Sequence, residues 1–261
     1  MNNIHYIEKP KGIHTIQKKS FFNKTFLLFG VVITVVGLIC IVGLQTNTDH
    51  FKPDSTFHFL NDSEDVIDFS YGLNFIYETQ LSRVRTIEKW SSPIKIKYEG
   101  NPTKEDIAVL KRIIKEFNTI NGLPEMKIVN KDENVLLVYT PKESLPTIQE
   151  KYNLSEIDKG ICRRRSENGE IISAVLVIES DISQEYKNSV VLHEFFHLVG
   201  FYEHSFDKTS VINRDGEAVP KLSAVDTLSF KMLYHPEITI GMTYEEISTY
   251  YQNKDMNEIL K

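Results

Sequence analysis

The sequence predicts an α/β (α+β) domain, a small mixed sheet packed on helices, preceded by a single transmembrane helix. Three observations carry this expectation. Residues 26–44 form an uncharged apolar run, segments of helical period alternate with short β-branched segments from residue 66 onward, and no internal repeat interrupts them. The 261 residues suit one sizeable domain plus an anchor, and 41% hydrophobic with 25% charged residues is the balance of an ordinary folded chain. A net charge of −6 without a dense basic patch argues against nucleic acid as a partner. The run Arg163-Arg164-Arg165 is the one basic cluster of the domain and reads as a solvated loop.

The run FLLFGVVITVVGLICIVGL would span about 28 Å as a helix, close to the roughly 30 Å hydrocarbon core of a bilayer. Lys9, Lys11, Lys18, Lys19 and Lys24 precede it, whereas Asp49, Asp54, Asp62, Glu64 and Asp65 come after it. The positive flank stays cytoplasmic. Residues 1–25 are therefore read as cytoplasmic, 26–44 as a transmembrane signal anchor, 45–65 as a polar stalk and 66–261 as the extracytoplasmic domain. That is a single-pass protein of the cell membrane, held through one N-terminal helix. No small-x-small site comes directly after the run, so the anchor reads as uncleaved. Cys40 lies in the apolar run with Ile39 before it, which disfavours a lipoprotein. It cannot pair with Cys162 in the domain, so thiols supply neither a disulfide nor a zinc site, and Cys162 reads as packing.

The domain elements come in order. Residues 68–90 carry Leu73, Ile76, Tyr77, Leu81 and Val84 at helical spacing. Ile94, Ile96 and Tyr98 alternate with charged residues, as in a strand. Thr103, with Asp106 three residues on, opens a helix that runs to Ile120 and ends at Asn121-Gly122. Residues 135–139 read as a buried strand, 143–152 as a short helix and 171–178 as a third strand rich in β-branched residues. Asp181 or Ser183 caps the next helix, which Gly200 closes. Residues 222–234 and 243–251 read as the last two helices.

The helix before Gly200 reads His193-Glu194-Phe195-Phe196-His197. Positions i and i+4 share one helix face, so two imidazoles can converge on one Zn²⁺. Glu194 beside them is the expected general base. A metal lowers the pKa of a bound water toward about 7, and a carboxylate can then take its proton and pass it to a leaving amine. Gly200 can turn the chain back beneath the metal, which brings Glu203 and His204 within range as the third ligand. His204 is favoured, because neutral imidazole suits zinc. Glu217 and Asp226 are weaker alternatives farther along. His5, His14, His50 and His58 lie near or before the anchor and read as solvated, and His235 as a helix C-terminal cap.

The run HEFFHLVGFYEHS is similar to the metzincin peptidase signature HExxHxxGxxH, with one extra residue before the last histidine. Ser205, then Ser210-Val211-Ile212-Asn213, then Leu222, Asp226 and Leu233-Tyr234 stand in the order of metzincins resembling matrix metalloproteinases, with Ile212 replacing the methionine beneath the metal. Over residues 68–251 the chain also resembles a bacterial family named as domain of unknown function 2927, on Lys89, Trp90, Pro93, Gly200, Leu233, Tyr234, Pro236, Gly241, Met242 and Thr243. Many members of that family carry Glu or Gln where this chain has His193 and His197, and Asp at His204, which favours His204 over Glu203. The resemblance implies a zincin/metzincin-like fold whose metal ligands are His193, His197 and His204, with Glu194 catalytic. It also implies that strand 171–178 is the cleft edge to which an extended polypeptide substrate adds. Tyr202 and Tyr234 are oxyanion candidates that read more simply as packing. The expected function is a membrane-anchored zinc metallopeptidase working outside the cytoplasm. The alternative is a non-catalytic exported binding or assembly domain on a degenerate scaffold of the same kind.

Overall fold

In a computed structural model, residues 68–255 are described. The chain divides into the units Met1–Thr56 and Phe57–Lys261, and the described residues all belong to the second. The expected anchor at 26–44, its flanks and Cys40 lie outside the described residues. Among the described residues no helix is long and apolar enough to cross a membrane.

Helix α1, Phe69–Ile76, starts at Asp68, whose carboxylate accepts the Tyr71 backbone N–H. The predicted long helix does not run on evenly. It widens into a π-helical turn, Tyr77–Leu81, and ends after Ser82–Val84 where Arg85 adopts a left-handed φ of 66°. Strand β1, Ile94–Gly100, leads to α2, Lys104–Phe117. There Thr103 and Asp106 form the expected capping box, each side chain accepting the other's backbone N–H. A short strand β2, Met126–Ile128, which the sequence reading missed, pairs parallel with β1. On the other side of β1 lies β3, Val135–Thr140, also parallel.

After α3, Leu145–Tyr152, comes a hairpin of β4, Gly160–Glu167, and β5, Glu170–Glu179. Its two-residue turn, Asn168-Gly169, has positive φ at both residues, which matches the right-handed twist of the strands. The sheet order is β2-β1-β3-β5-β4, with only β4 antiparallel. Two expectations are corrected here. The strand near residues 171–178 is interior, between β3 and β4, and the edge strand is β4. Arg163-Arg164-Arg165 lies on that edge strand rather than on a loop.

Helix α4, Gln184–Leu198, comes after β5 and is capped by the Ser183 hydroxyl. It packs against β4 and β5 on the face that α2 also covers. The main core lies there, with Ile96, Leu137, Leu176, Phe117, Phe195, Phe196 and Phe230 fully enclosed. Helix α3 covers the opposite face through Leu145, beside Val138, Ile157 and Val177. Burial on both faces explains why β3 and β5 read as unbroken apolar runs. A buried ion pair, Lys187 to Asp106 at 3.2 Å, ties α4 to the start of α2. Helices α5, Ala224–Leu233, and α6, Tyr244–Gln252, finish the domain, both with capping boxes.

Candidate metal centre

Nearly every side of α4 is enclosed. Val190, Val191, Leu192, Phe195, Phe196 and Leu198 fill the core, while His193, Glu194 and His197 line a cleft of about 780 Å³ between α4 and β4. The C-terminal end of α4 is tied down. Trp90 donates its indole N–H to the Leu198 carbonyl at 2.8 Å, and the Tyr234 hydroxyl donates to the Val199 carbonyl at 2.9 Å. Gly200 then takes a φ of 119°, a region side chains rarely enter, and the chain doubles back.

That return segment is gripped by the π-helical turn. The widened turn leaves the Thr79 carbonyl free to accept the backbone N–H groups of Tyr202 and Glu203, at 2.6 and 2.8 Å. The Gln80 side chain donates to the Gly200 carbonyl at 2.6 Å. The Glu78 carboxylate accepts the Ser205 hydroxyl and the Phe206 N–H at 3.0 and 2.9 Å. From the other side, the Arg214 Nε donates to the His204 carbonyl at 3.0 Å. His204 is thereby delivered opposite α4. π-helical turns often occur at functional sites, and this one orders the loop that carries His204.

The three rings meet. His193 Nε2 lies 3.0 Å from His197 Nε2 and 3.1 Å from His204 Nε2, and one nitrogen from each ring falls within 4.8 Å of the others. The opposite nitrogens fix the tautomers. His193 Nδ1 donates to the Val211 carbonyl at 2.8 Å, and His197 Nδ1 to the Phe201 carbonyl at 2.6 Å. A carbonyl only accepts, so Nδ1 bears the proton in both rings and each neutral ring turns an Nε2 lone pair inward. Burial holds both rings neutral. It pushes His193 down to about 4, with His204 adding to the effect and the Val211 carbonyl opposing it. His197 is lowered well below its ordinary value, by burial first and then by His193. Lone pairs aimed at one another at 3 Å repel unless a cation sits among them. Tetrahedral zinc ligands at about 2.0–2.1 Å from the metal lie roughly 3.3 Å from each other, which the two His193 separations approach, and the third donor lies within 4.8 Å, so the set can gather round a metal ion.

Glu194 is 5% exposed beside this cluster. Burial raises its carboxyl pKa to about 8, and the Arg164 cation opposes the rise. Gly160 of β4 makes room for it, because a Cβ there would stand 2.7 Å from Glu194 Oε1 and from Val190 Cγ1. The turn at Ser210–Asn213 adjoins the site through the Val211 carbonyl. Asp226 is completely buried and accepts the Ser210 hydroxyl at 2.6 Å and the Val211 N–H at 3.0 Å, which sets the Val211 carbonyl against His193. Ile212 is enclosed in the main core.

The other candidates sit elsewhere. The Glu203 carboxylate is held by Arg83 at 2.9 Å and is not among the clustered donors. Asp226 is occupied as described, and Glu217 lines the cleft wall without joining the cluster. The Tyr234 hydroxyl is wholly buried on backbone groups, while Tyr202 lines the cleft with its hydroxyl given to Glu88. His235 meets the Tyr250 hydroxyl at 3.2 Å. Burial lifts the Cys162 thiol to about 12, which leaves it unreactive. Sequence reasoning missed Gly160, Arg164 and the π-helical turn. No apolar alternation marks the stretch around Gly160 and Arg164, so the local sequence carried no signal for the first two.

The family model described as "Protein of unknown function (DUF2927)" matches residues 66–253, which include the whole cluster and the sheet beside it. The chain belongs to this family. No curated protein matches it. Among solved structures, the crystal structure of myroilysin is similar at a TM-score of 0.37 and 12% identity, over 56% of this chain and 86% of that one. In this DUF2927 member, the inward-facing positions of the cluster are three histidines, a set that can hold a metal ion.

Proposed function

We propose that this chain is a membrane-anchored, zinc-dependent metallopeptidase that hydrolyses peptide bonds outside the cytoplasm. The observation that carries the reading is the convergence of three imidazole Nε2 atoms, two with their tautomer set by backbone carbonyls, beside a buried glutamate. His193, His197 and His204 would hold the ion, and three ligands leave a fourth position open, as catalytic sites require and closed structural sites do not. Zn²⁺ held there supplies Lewis-acid polarisation of a carbonyl and acidifies a water. The metzincin-like reading is supported by the HExxHxxGxxEH motif and by the turn whose Val211 carbonyl meets His193. The membrane reading is supported by the apolar run 26–44 and its charge asymmetry.

The chain's own groups divide the remaining work. The outer edge of β4 lacks a strand partner among the described residues, so its main chain offers hydrogen bonds to an extended polypeptide along the cleft. Burial alone keeps the Glu194 carboxyl protonated to about 8, and a cation held beside it would favour the carboxylate; in that form Glu194 takes the proton of the attacking water and delivers it to the leaving amine, so a C–O bond forms, the C–N bond breaks and the carboxylate is restored. Its enclosed position keeps bulk water from competing for that proton.

The test is Glu194→Gln in the full-length protein. The variant keeps its zinc and loses cleavage of a peptide library by about 10²–10⁴-fold. Turnover equal to wild type overturns the mechanism. A wild-type chain that purifies without metal and ignores chelators favours the non-catalytic binding domain.

A further inference from the structure

The three arginines of β4 differ in what they meet. Arg163 donates to the carbonyls of Tyr152 and Asn153, and Arg165 pairs with Glu167. Arg164 lies between them on the opposite face of the strand; Arg163 also borders the cleft but is exposed, whereas Arg164 is partly buried in it with His197 and Tyr202. Among the described residues it has no ion pair. Its one hydrogen bond is a long one, Nη1 to the Phe201 carbonyl at 3.4 Å, and its Nε is buried with no partner at all. The guanidinium carbon sits 3.7 Å over the Tyr202 ring, which holds the group flat. Nearby carboxylates are engaged elsewhere: Glu88 accepts the Tyr202 hydroxyl and Glu203 is held by Arg83. Glu194 feels the Arg164 charge without pairing with it.

A half-buried guanidinium without a counter-charge is costly; its planar fork matches a carboxylate or a phosphate, and of these a polypeptide supplies the carboxylate. We propose that Arg164 is a specificity-determining residue that binds a carboxylate of the polypeptide substrate close to the cleaved bond. This inference rests on the peptidase reading above and adds a substrate class to it: acidic peptides, or peptides bound by their free C-terminus. The distance of Arg164 from Gly160, four residues along β4, places it at the His197 end of the cleft, to one side of the pocket that holds the Glu194 carboxylate.

The first measurement uses binding. Calorimetry on the full-length, zinc-loaded protein compares alkyl hydroxamates of two to six methylenes ending in a carboxylate with the same chains ending in a methyl group. The best carboxylate probe binds about tenfold or more tightly than its methyl partner, and Arg164→Gln removes the difference while the methyl probe binds as before. Arg164→Lys, which keeps the charge and the fold but not the fork, retains part of it. Equal binding of the paired probes by wild type overturns the inference and leaves the metal reading standing. If neither probe binds the zinc-loaded chain, the open metal site itself is refuted and the inference falls with it. The second measurement uses peptide pairs, Glu against Gln at internal positions and free against amidated C-termini, and names which carboxylate is read. Arg164→Gln raises KM for the favoured member of a pair. A uniform fall in kcat across all peptides would mean that Arg164 acts only on Glu194, and would overturn the proposal.

Discussion

His193 contributes the Nε2 atom common to both close contacts of the cluster, so His193→Ala is the substitution that dissects it best. An ion that binds only the folded chain stabilises it by about 4 kcal/mol at a thousandfold excess over its dissociation constant. For a domain of 150–250 residues, each kcal/mol moves the melting temperature by about 2–4 °C. Chelation of the wild-type protein should therefore lower its melting point by about 8–16 °C. In His193→Ala two donors remain, and the chelator effect should fall to about 2 °C or less. The same variant removes the ring whose lone pair faces two others, so in chelator it should melt no lower than wild type despite the lost contacts of a half-buried ring. Differential scanning fluorimetry with and without a zinc chelator reads both quantities. An equal chelator shift in the two proteins, or none in wild type, would refute the reasoning.

Three further outcomes are expected. Gly160→Ala sets a methyl 2.7 Å from Glu194 Oε1 and Val190 Cγ1; it should keep zinc, cost about 1–3 kcal/mol in a urea melt and suppress turnover, and unchanged turnover would show that Glu194 has room to spare. Glu78→Gln weakens the grip on Ser205 and Phe206 and should reduce zinc affinity by about 10–100-fold in a competition assay, and an unchanged affinity would separate the π-helical turn from the site. The third concerns pH in the metal-free protein. Glu194 titrates at about 8 in the fold, above its ordinary value, so the folded chain holds a proton that the unfolded chain has lost. Its stabilising effect is complete at low pH and disappears as pH rises through 8. The cluster histidines are shifted the other way, but that contribution is common to wild type and Glu194→Gln and cancels in the difference between them. Between pH 6.5 and 8, chelated wild type should lose about 2 kcal/mol that Glu194→Gln does not lose, measured by urea unfolding.

How much of this was legible in the sequence depends on burial. Helix α4 was readable because one short stretch combined a serine cap, an apolar run and a terminal glycine. Its ligating face stood out because histidine and glutamate are costly among phenylalanines. His204 was readable through Gly200, since a reversal there limits which donors return to the helix. Strand β4 was not legible. It has one solvated face and one cleft face, so Arg163, Arg164 and Arg165 present no apolar alternation, and only pairing with β5 makes them a strand. The metzincin resemblance put β5 at the edge in the expectation, although its unbroken apolar run already spoke for an interior strand. The π-helical turn was hidden for another reason. Thr79 and Gln80 are fully buried by contacts with a segment more than a hundred residues distant, and local periodicity carries no trace of such contacts. Short β2 lacked the length to show a pattern.

The central claim is that three histidines share one ion. Metal analysis of the purified full-length protein, joined to X-ray absorption at the zinc edge, addresses it directly. The account predicts about one zinc per chain, with three imidazole nitrogens at about 2.0–2.1 Å and one further light-atom ligand. Zinc that is absent, or that stays bound with the same spectrum after His193, His197 and His204 are all replaced, would contradict it.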